Sequence, residues 1–272
     1  MDAAPYPIVL AHGICRFDEL TDVVFQLDDA ADDRLHYFRR IRSTLTGHGY
    51  DVHHSHVSWA GALERRAAEL RDELLRITRD FTLAPRVYII AHSMGGLDAR
   101  HMMFRFGMYD RVAGLATVGT PHWGTCFADW ALRRLDGAVD LAVRWGLDLN
   151  GFRDLTRARC AAFNAESDSA ERAGGVRFRT YAGAQTEDRV ALWLRIPWRI
   201  IEREEGPNDG LVSVQSARWR DEYFVRTIEA DHRNEIGWWN LRDAGSEHAL
   251  DAFRRRIEAF YLEVAADLTR PA

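Results

Sequence analysis

The sequence lacks long apolar runs, has few cysteines and carries no excess of basic residues. No uncharged apolar stretch approaches the length of about 18 residues that a membrane-spanning helix needs. A net charge of -5 at pH 7 gives no reason to expect a nucleic-acid partner. The three cysteines are odd in number and match no zinc spacing, so free thiols are expected, with one disulfide left open. These absences exclude a transmembrane helix and argue against nucleic-acid binding and zinc binding.

The start of the chain also lacks the features of a secretory signal. Residues 1–5 contain no basic region, and no long apolar stretch follows them before the first predicted strand. We therefore expect a cytoplasmic protein, although removal of a leader would leave the same start.

The apolar pattern predicts a single α/β domain that spans residues 1–272. Short apolar runs alternate with segments of three-four helical spacing, and no repeat or linker divides the chain. This alternation predicts a mostly parallel central sheet with helices on both faces. Ligands of such sheets bind at the carboxyl ends of the strands, so motifs at those ends are of most interest. The runs that define the sheet are residues 8–11, 51–57, 87–91, 114–118, 176–183 and 223–228.

A helical insertion at about residues 126–172 interrupts this alternation. Two interpretations of this insertion remain: ordinary packing helices, and a lid that covers an apolar substrate site. Its position after a core strand favours the lid. Residues 191–201 are also strongly apolar and are expected to be core or part of an acyl-chain wall. The insertion is amphipathic through Trp130, Leu132, Leu135, Val139, Leu141, Val143, Trp145 and Leu147.

The most informative stretch is the turn around Ser93. A buried strand over residues 87–91 meets His92-Ser93-Met94-Gly95-Gly96, and helical spacing follows. A serine at the apex of a tight turn between a strand and a helix is typical of a nucleophile elbow, with Ala91 where the first glycine usually stands. A glycine-rich turn with an incidental serine is the alternative.

A serine hydroxyl needs a base, and the base needs an acid that orients it. In this arrangement the chain order is serine, acid, histidine. Asp209 lies in a Pro-Asn-Asp-Gly turn and His232 follows the last predicted strand, so we predict a triad of Ser93, Asp209 and His232. The rival acids are Asp188, Asp221, Asp231 and Asp243, and the rival base is His248.

Two backbone N–H groups should bind the oxyanion of the tetrahedral intermediate. One belongs to Met94, the residue after the serine, and the other to Ile14, in the loop that follows the first strand.

Three histidines, His53, His54 and His56, lie together on the second predicted strand. A metal site there is conceivable, because His54 and His56 share a strand face. No carboxylate or cysteine cluster accompanies them, so we expect no metal at this place.

In their order along the chain, these motifs resemble those of bacterial triacylglycerol lipases of the Pseudomonas and Burkholderia type, within the α/β-hydrolase superfamily. The matching segments are residues 6–13, 17–18, 92–96, 119–124, 163–165, 208–212 and 231–236. The resemblance implies an α/β-hydrolase fold, a helical lid, and ester hydrolysis through an acyl-enzyme on Ser93. It also supports Ile14 and Met94 as oxyanion donors. The substrate-binding residues that we expect within these motifs are His12, Gly13, Phe17, His92 and Trp123.

The sequence departs from that family at the calcium site. Family members bind a structural calcium near the catalytic histidine, through residues whose places here fall at Asn234, at Trp238 and near Arg189. Calcium prefers several oxygen ligands, especially carboxylates, so we expect neither a metal nor a cofactor. The neighbouring carboxylates of Glu187 and Asp188 keep a bound calcium ion as an alternative.

The functional prediction is therefore a lipase or esterase that acts on acyl esters. The expected partners are a small-molecule or lipid ester substrate and a transiently contacted lipid interface, and the short insertion leaves shorter esters open. Two alternatives remain: an acyltransferase that uses the same triad, and a non-catalytic binding protein on a hydrolase scaffold.

Overall fold

A computed structural model describes residues 5–14, 33–34, 36–58, 61–134, 150–240 and 245–270. Six strands form one sheet in the order β2-β1-β3-β4-β5-β6, and every neighbouring pair is parallel. The strands are β1 (Ile8–Ala11), β2 (Val52–His54), β3 (Val87–His92), β4 (Val112–Val118), β5 (Arg177–Ala184) and β6 (Phe224–Glu229).

Nine helical segments of the described chain connect and cover these strands. Three short 3-10 turns, Tyr109–Arg111, Leu192–Leu194 and Asn234–Ile236, supplement them. The helices are α1 (Ile41–Gly47), α2 (Leu63–Thr78), α3 (Met94–Arg105), α4 (126–134), α5 (Asn150–Asp154), α6 (Arg157–Ala173), α7 (Arg195–Glu204), α8 (Val214–Arg218) and α9 (Glu247–Thr269).

Helices cover both faces of the sheet, which explains why its central strands are apolar throughout. All six residues of β3 are buried. Alternate residues such as Leu10 and Ile90 pack in one core with α1 and α9, whereas Val9 and Ile89 pack in the other core with α2 and α3. A strand covered on both faces has no solvent face and therefore shows no polar alternation. The predicted parallel central sheet with helices on both faces is confirmed.

Apolar residues at positions 35, 38, 41 and 45 have helical spacing and predict a helix over 35–45, but α1 begins only at Ile41. Arg40 has a left-handed backbone (φ 61), and a right-handed helix cannot run through such a residue. The helix α1 therefore starts only after Arg40. The carboxylate of Asp33 accepts the Ser43 N–H at 2.8 Å and so caps the first turn from ten residues away. Leu35 lies outside the described residues.

The second strand is also shorter than the predicted 51–57. It lies at the edge of the sheet and pairs only with β1, through Ile8 with Val52 and Leu10 with His54. Pairing ends where the four-residue partner strand ends, although the Ser55 N–H still donates to the Leu10 carbonyl oxygen at 3.0 Å.

The insertion contains the helices α4, α5 and α6. Residues 135–149, which carry most of the apolar side chains on which the lid prediction depends, lie outside the described residues, so the lid stays a prediction. Cys126 and Cys160 are buried free thiols, and Cys15 is not among the described residues. No helix in the described part of the chain is both long and apolar enough to cross a membrane.

Candidate active site

Ser93 occupies the turn between β3 and α3 and has a left-handed backbone (φ 56, ψ -133). A positive φ is strained for a residue with a Cβ atom and persists only where the surroundings enforce it. The Ser93 N–H donates to the Val118 carbonyl oxygen at 3.0 Å, and Thr120 Oγ1 donates to the Ser93 carbonyl oxygen at 2.8 Å. A Cβ atom at Gly95 would overlap the Ala11 carbonyl oxygen, which explains why a glycine stands two residues after the serine.

Asp209 and His232 meet at the carboxyl-terminal edge of the sheet. His232 Nδ1 lies 2.7 Å from Asp209 Oδ2, and both side chains are buried. Asp209 Oδ1 already accepts the N–H groups of Leu211 at 2.8 Å and Val212 at 2.7 Å. Because this carboxylate acts as an acceptor, Nδ1 of His232 carries the ring proton. Nε2 is then free to accept a proton from a nucleophile.

The rival acids do not reach the histidine ring in the described structure. Asp188 and Asp221 are exposed, and Asp221 pairs with Arg218. The rival base His248 is exposed at the start of α9. Asp243 lies outside the described residues.

Asp231 precedes His232 but serves the loop and not the ring. Its buried carboxylate accepts four hydrogen bonds, which fix the loop that carries His232. The donors are the N–H groups of Ala191 (2.9 Å), Arg233 (3.0 Å) and Asn234 (2.7 Å) and the side chain of Asn240 (2.7 Å).

The loop after β1 reaches the serine. A Cβ atom on Gly13 would lie 2.6 Å from Ser93 Cβ and 3.0 Å from Ser93 Oγ, so this glycine leaves the space that the serine occupies. Ile14 packs at the edge of an apolar cluster that also contains Met94 and Leu97. The two predicted oxyanion donors therefore belong to segments that share one apolar cluster.

His12, which we expected to bind substrate, faces the protein interior. It is 4% exposed, and its Nδ1 lies 2.9 Å from the Gly13 carbonyl oxygen. Burial and the nearby guanidinium of Arg66 lower the pKa of His12 to about 3, so the ring stays neutral. Arg66 Nη2 donates to the His12 carbonyl oxygen at 2.8 Å and binds the Asp98 carboxylate. These contacts hold the loop in place.

His92 is likewise buried, and it leads to a residue that the sequence analysis missed. Its Nε2 lies 2.8 Å from Glu235 Oε2, and that same oxygen lies 3.6 Å from His232 Nδ1. Burial and the carboxylates of Asp209 and Asp231 raise the pKa of Glu235 well above its usual value. Two sequence signals point to it: Glu235 lies in the matching segment 231–236, and it follows His232 by three residues, which is one turn of a 3-10 helix.

Two glycines make room for the Glu235 carboxyl group. A Cβ atom on Gly119, at the end of β4, would overlap Oε2, and one on Gly183, in β5, would overlap Oε1. The carboxyl group therefore packs against the backbone of both neighbouring strands, at Gly119 and at Gly183.

Trp123 is 44% exposed, and its ring N–H donates to the Trp219 carbonyl oxygen at 2.9 Å. It lines a largely polar cavity of about 400 Å³ together with Arg157 and Ser216, and none of the triad residues belongs to that lining. Phe17 lies outside the described residues.

One group in the described part of the chain has the spacing of a metal site. The ligand atoms of His92, His232 and Glu235 lie within 4.8 Å of one another. The same side chains bond to each other and to Asp209. The ring of His53 on β2 pairs with Asp51, its Nε2 lying 3.0 Å from Asp51 Oδ1.

The calcium site of the resembled family does not fit the donors in this structure. The Asn234 amide donates to the Trp238 carbonyl oxygen at 2.9 Å, and its oxygen accepts the Asp231 N–H at 3.3 Å. The guanidinium of Arg189 pairs with Glu229 in the same region. A positive side chain and an engaged neutral amide are poor surroundings for a divalent cation.

Known proteins are similar to this chain in sequence and in fold. Triacylglycerol lipase 2 of Saccharomyces cerevisiae is 28% identical over 306 residues, covering 97% of this chain and 91% of that protein. A triacylglycerol lipase of Vibrio cholerae is 28% identical over 82% of this chain and 78% of its own length. The resemblance to bacterial triacylglycerol lipases is thereby confirmed.

The solved structure of Bacillus licheniformis lipase BlEst2 in its mature form is 23% identical over 85% of this chain and 86% of its own, with a TM-score of 0.64. Staphylococcus hyicus lipase is 17% identical over 98% and 97%, with a TM-score of 0.67. At these identities the two structures support the fold alone. A profile of the family described as "Alpha/beta hydrolase family" matches residues 8–256, and the chain belongs to that family.

Proposed function

We propose that the protein hydrolyses carboxylic esters through an acyl-enzyme formed on Ser93. The observation that carries this proposal is the 2.7 Å contact between His232 Nδ1 and Asp209 Oδ2 at the sheet edge where Ser93 forms a strained elbow. The named relatives are triacylglycerol lipases, which supports an acyl ester as the substrate class.

The proposed reaction uses each residue in turn. His232 Nε2 removes the proton from Ser93 Oγ as that oxygen attacks the ester carbonyl carbon. The resulting oxyanion accepts hydrogen bonds from the backbone N–H groups of Ile14 and Met94. Collapse of the tetrahedral intermediate breaks the ester C–O bond, and His232 gives the proton to the leaving alcohol. Water then repeats the sequence, which releases the acid and regenerates Ser93.

Asp209 supports this cycle without giving up a proton. Its carboxylate accepts the Nδ1 proton of His232, which fixes the ring orientation and stabilises the imidazolium that forms. Apolar side chains that include Met94, Leu97 and Leu155 cluster with Ile14, and they favour an apolar acyl chain beside the elbow. Short and long esters both remain candidate substrates.

The decisive test is the variant Ser93→Ala assayed with p-nitrophenyl esters of graded acyl length. We expect turnover to become undetectable, since loss of a serine nucleophile costs roughly 10⁶-fold in a protease triad. Wild-type protein should take up one fluorophosphonate group, and Ser93→Ala should take up none. The matched control is Ser169→Ala, which changes an exposed serine in α6 and should keep full activity.

Full turnover by a folded Ser93→Ala protein would refute the proposal. The same assay with an added alcohol separates hydrolysis from acyl transfer, because a transferase yields a new ester in place of the free acid. A wild-type protein that resists fluorophosphonate labelling would instead indicate a non-catalytic binding protein.

A further inference from the structure

Three buried side chains form a hydrogen-bonded chain that the proposed triad does not use. Tyr37 Oη lies 2.7 Å from His92 Nδ1, and His92 Nε2 lies 2.8 Å from Glu235 Oε2. The three side chains are buried. At one end the chain meets the backbone of Gly13, whose N–H donates to Tyr37 Oη at 3.1 Å. At the other end Glu235 belongs to the loop of His232.

The protons of this chain can run in one consistent direction. The Gly13 N–H can only donate, so the Tyr37 oxygen accepts it, and in this direction the Tyr37 O–H donates to His92 Nδ1. A neutral ring with a bare Nδ1 carries its proton on Nε2, which then donates to Glu235 Oε2. Burial and the neighbouring His232 lower the pKa of His92 well below its usual value, which keeps the ring neutral.

Contacts on both sides of Gly13 restrict the direction of the Ile14 N–H. The Gly13 carbonyl and the Ile14 N–H belong to one peptide unit, which is planar and trans, so the two groups point in opposite directions. The carbonyl is held by His12 Nδ1 at 2.9 Å, and the N–H of Gly13 is held by Tyr37. With both sides of Gly13 fixed, the Ile14 N–H has little freedom to turn.

We propose that Tyr37, His92 and Glu235 act as one positioning relay. The relay holds the Ile14 N–H in place beside Ser93 and connects the loop of Ile14 to the loop of His232. The relay would align the oxyanion donor with the base before substrate arrives. This inference rests on the proposed ester hydrolysis.

The test is Tyr37→Phe, which keeps the ring and removes the oxygen between Gly13 and His92. We expect kcat for a p-nitrophenyl ester to fall roughly 10-fold, less than the 10²–10³-fold loss of a direct oxyanion donor. KM should stay within about two-fold, because the relay acts on the transition state and not on ground-state binding. The inhibition constant of an alkyl trifluoromethyl ketone, which forms an oxyanion adduct with serine, should rise by the same factor as kcat falls.

Tyr181→Phe is the matched control. Tyr181 is fully buried, and its hydroxyl has no hydrogen-bond partner among the described residues. This variant should retain wild-type kcat and wild-type affinity for the ketone. A purely structural role for Tyr37 would lower the melting temperature of Tyr37→Phe without changing the ratio of kcat to KM.

A second variant, His92→Phe, breaks the same chain at its middle, and if Tyr37→Phe does not fold this single variant should show the same fall in kcat with little change in KM. If both single variants fold and the relay acts as a unit, the double variant of Tyr37 and His92 has the same activity as the less active of the two single variants. Unchanged kcat in Tyr37→Phe, or losses that multiply in the double variant, would overturn the relay. Wild-type protein that lacks ester turnover would refute the proposed function instead, so the two failures are distinguishable.

Discussion

His232 and Asp209 are joined twice, once through their side chains and once through their backbones. His232 Nδ1 lies 2.7 Å from Asp209 Oδ2, and the His232 N–H donates to the Asp209 carbonyl oxygen at 2.8 Å. The loop of the acid and the loop of the base are therefore held together by main chain as well as by the catalytic contact.

This double contact makes Asp209 the acid to replace. We expect Asp209→Asn to lower kcat by about 10⁴-fold, the loss measured for the same change in a serine protease, because the amide favours the wrong imidazole tautomer. Asp221→Asn is the control, since Asp221 is an exposed acid that pairs with Arg218. Steady-state kinetics and circular dichroism would check both. Loss of activity in Asp221→Asn alone would contradict the assignment.

Gly13 should tolerate no side chain. A methyl group there would lie 2.6 Å from Ser93 Cβ, so Gly13→Ala must displace either the serine or the loop that carries the Ile14 N–H. We expect a loss of about 10²–10³-fold in kcat, the size seen when an oxyanion donor is lost. The control is Gly47→Ala in α1, where an added Cβ atom has no neighbour within 4 Å. Equal activity of the two variants would show that the loop of Gly13 can move to accept the methyl group without effect on catalysis.

His54 should make the protein sensitive to acid. Its ring stacks on His36 at 3.4 Å between centroids, and neither ring nitrogen has a hydrogen-bond partner among the described residues. Burial, followed by the neighbouring cationic groups, lowers the pKa of His54 well below 6.5. A lowered pKa means that the unfolded chain binds the proton more readily. The stability from the neutral ring is therefore complete above pH 6.5 and is lost as the pH falls.

The variant His54→Phe removes this proton linkage and keeps an aromatic ring. Below pH 6.5 the free energy of unfolding of the wild type should fall relative to the variant by up to about 1.4 kcal/mol per pH unit. Urea denaturation at several pH values would measure the difference, with exposed His248→Phe as the control. A difference that does not change with pH would refute this account of His54.

A chelator should leave the protein unchanged. The place of the family calcium site holds the Arg189 guanidinium, which pairs with Glu229, and an Asn234 amide that is already hydrogen-bonded. We expect neither kcat nor the melting temperature to change after treatment with EDTA and dialysis. A lower melting temperature that added calcium restores would contradict this expectation.

Much of the fold and the proposed triad could be predicted because their signals are local. The crowded turn around Ser93 needs small residues beside it, and buried strands such as β3 appear as continuous apolar runs. The start of α1 could not be predicted, because its cap comes from Asp33, ten residues from the amide that it binds. Glu235 was missed for a similar reason: its contact with His92 joins positions 143 residues apart and leaves no periodic pattern.

The positions around Glu235 also constrain how this chain can change over evolution. Gly119 and Gly183 each leave room for that carboxyl group, so a side chain larger than glycine at either position conflicts with it. Replacement of Glu235 by a smaller residue would remove the conflict with its carboxyl group, but a Cβ atom on Gly183 would still lie 2.9 Å from the Ala230 carbonyl oxygen. Both glycines should therefore persist among descendants of this sequence, Gly119 also because of its positive φ of 55°, and substitutions at either should be selected against even where the chemistry of Ser93 is untouched.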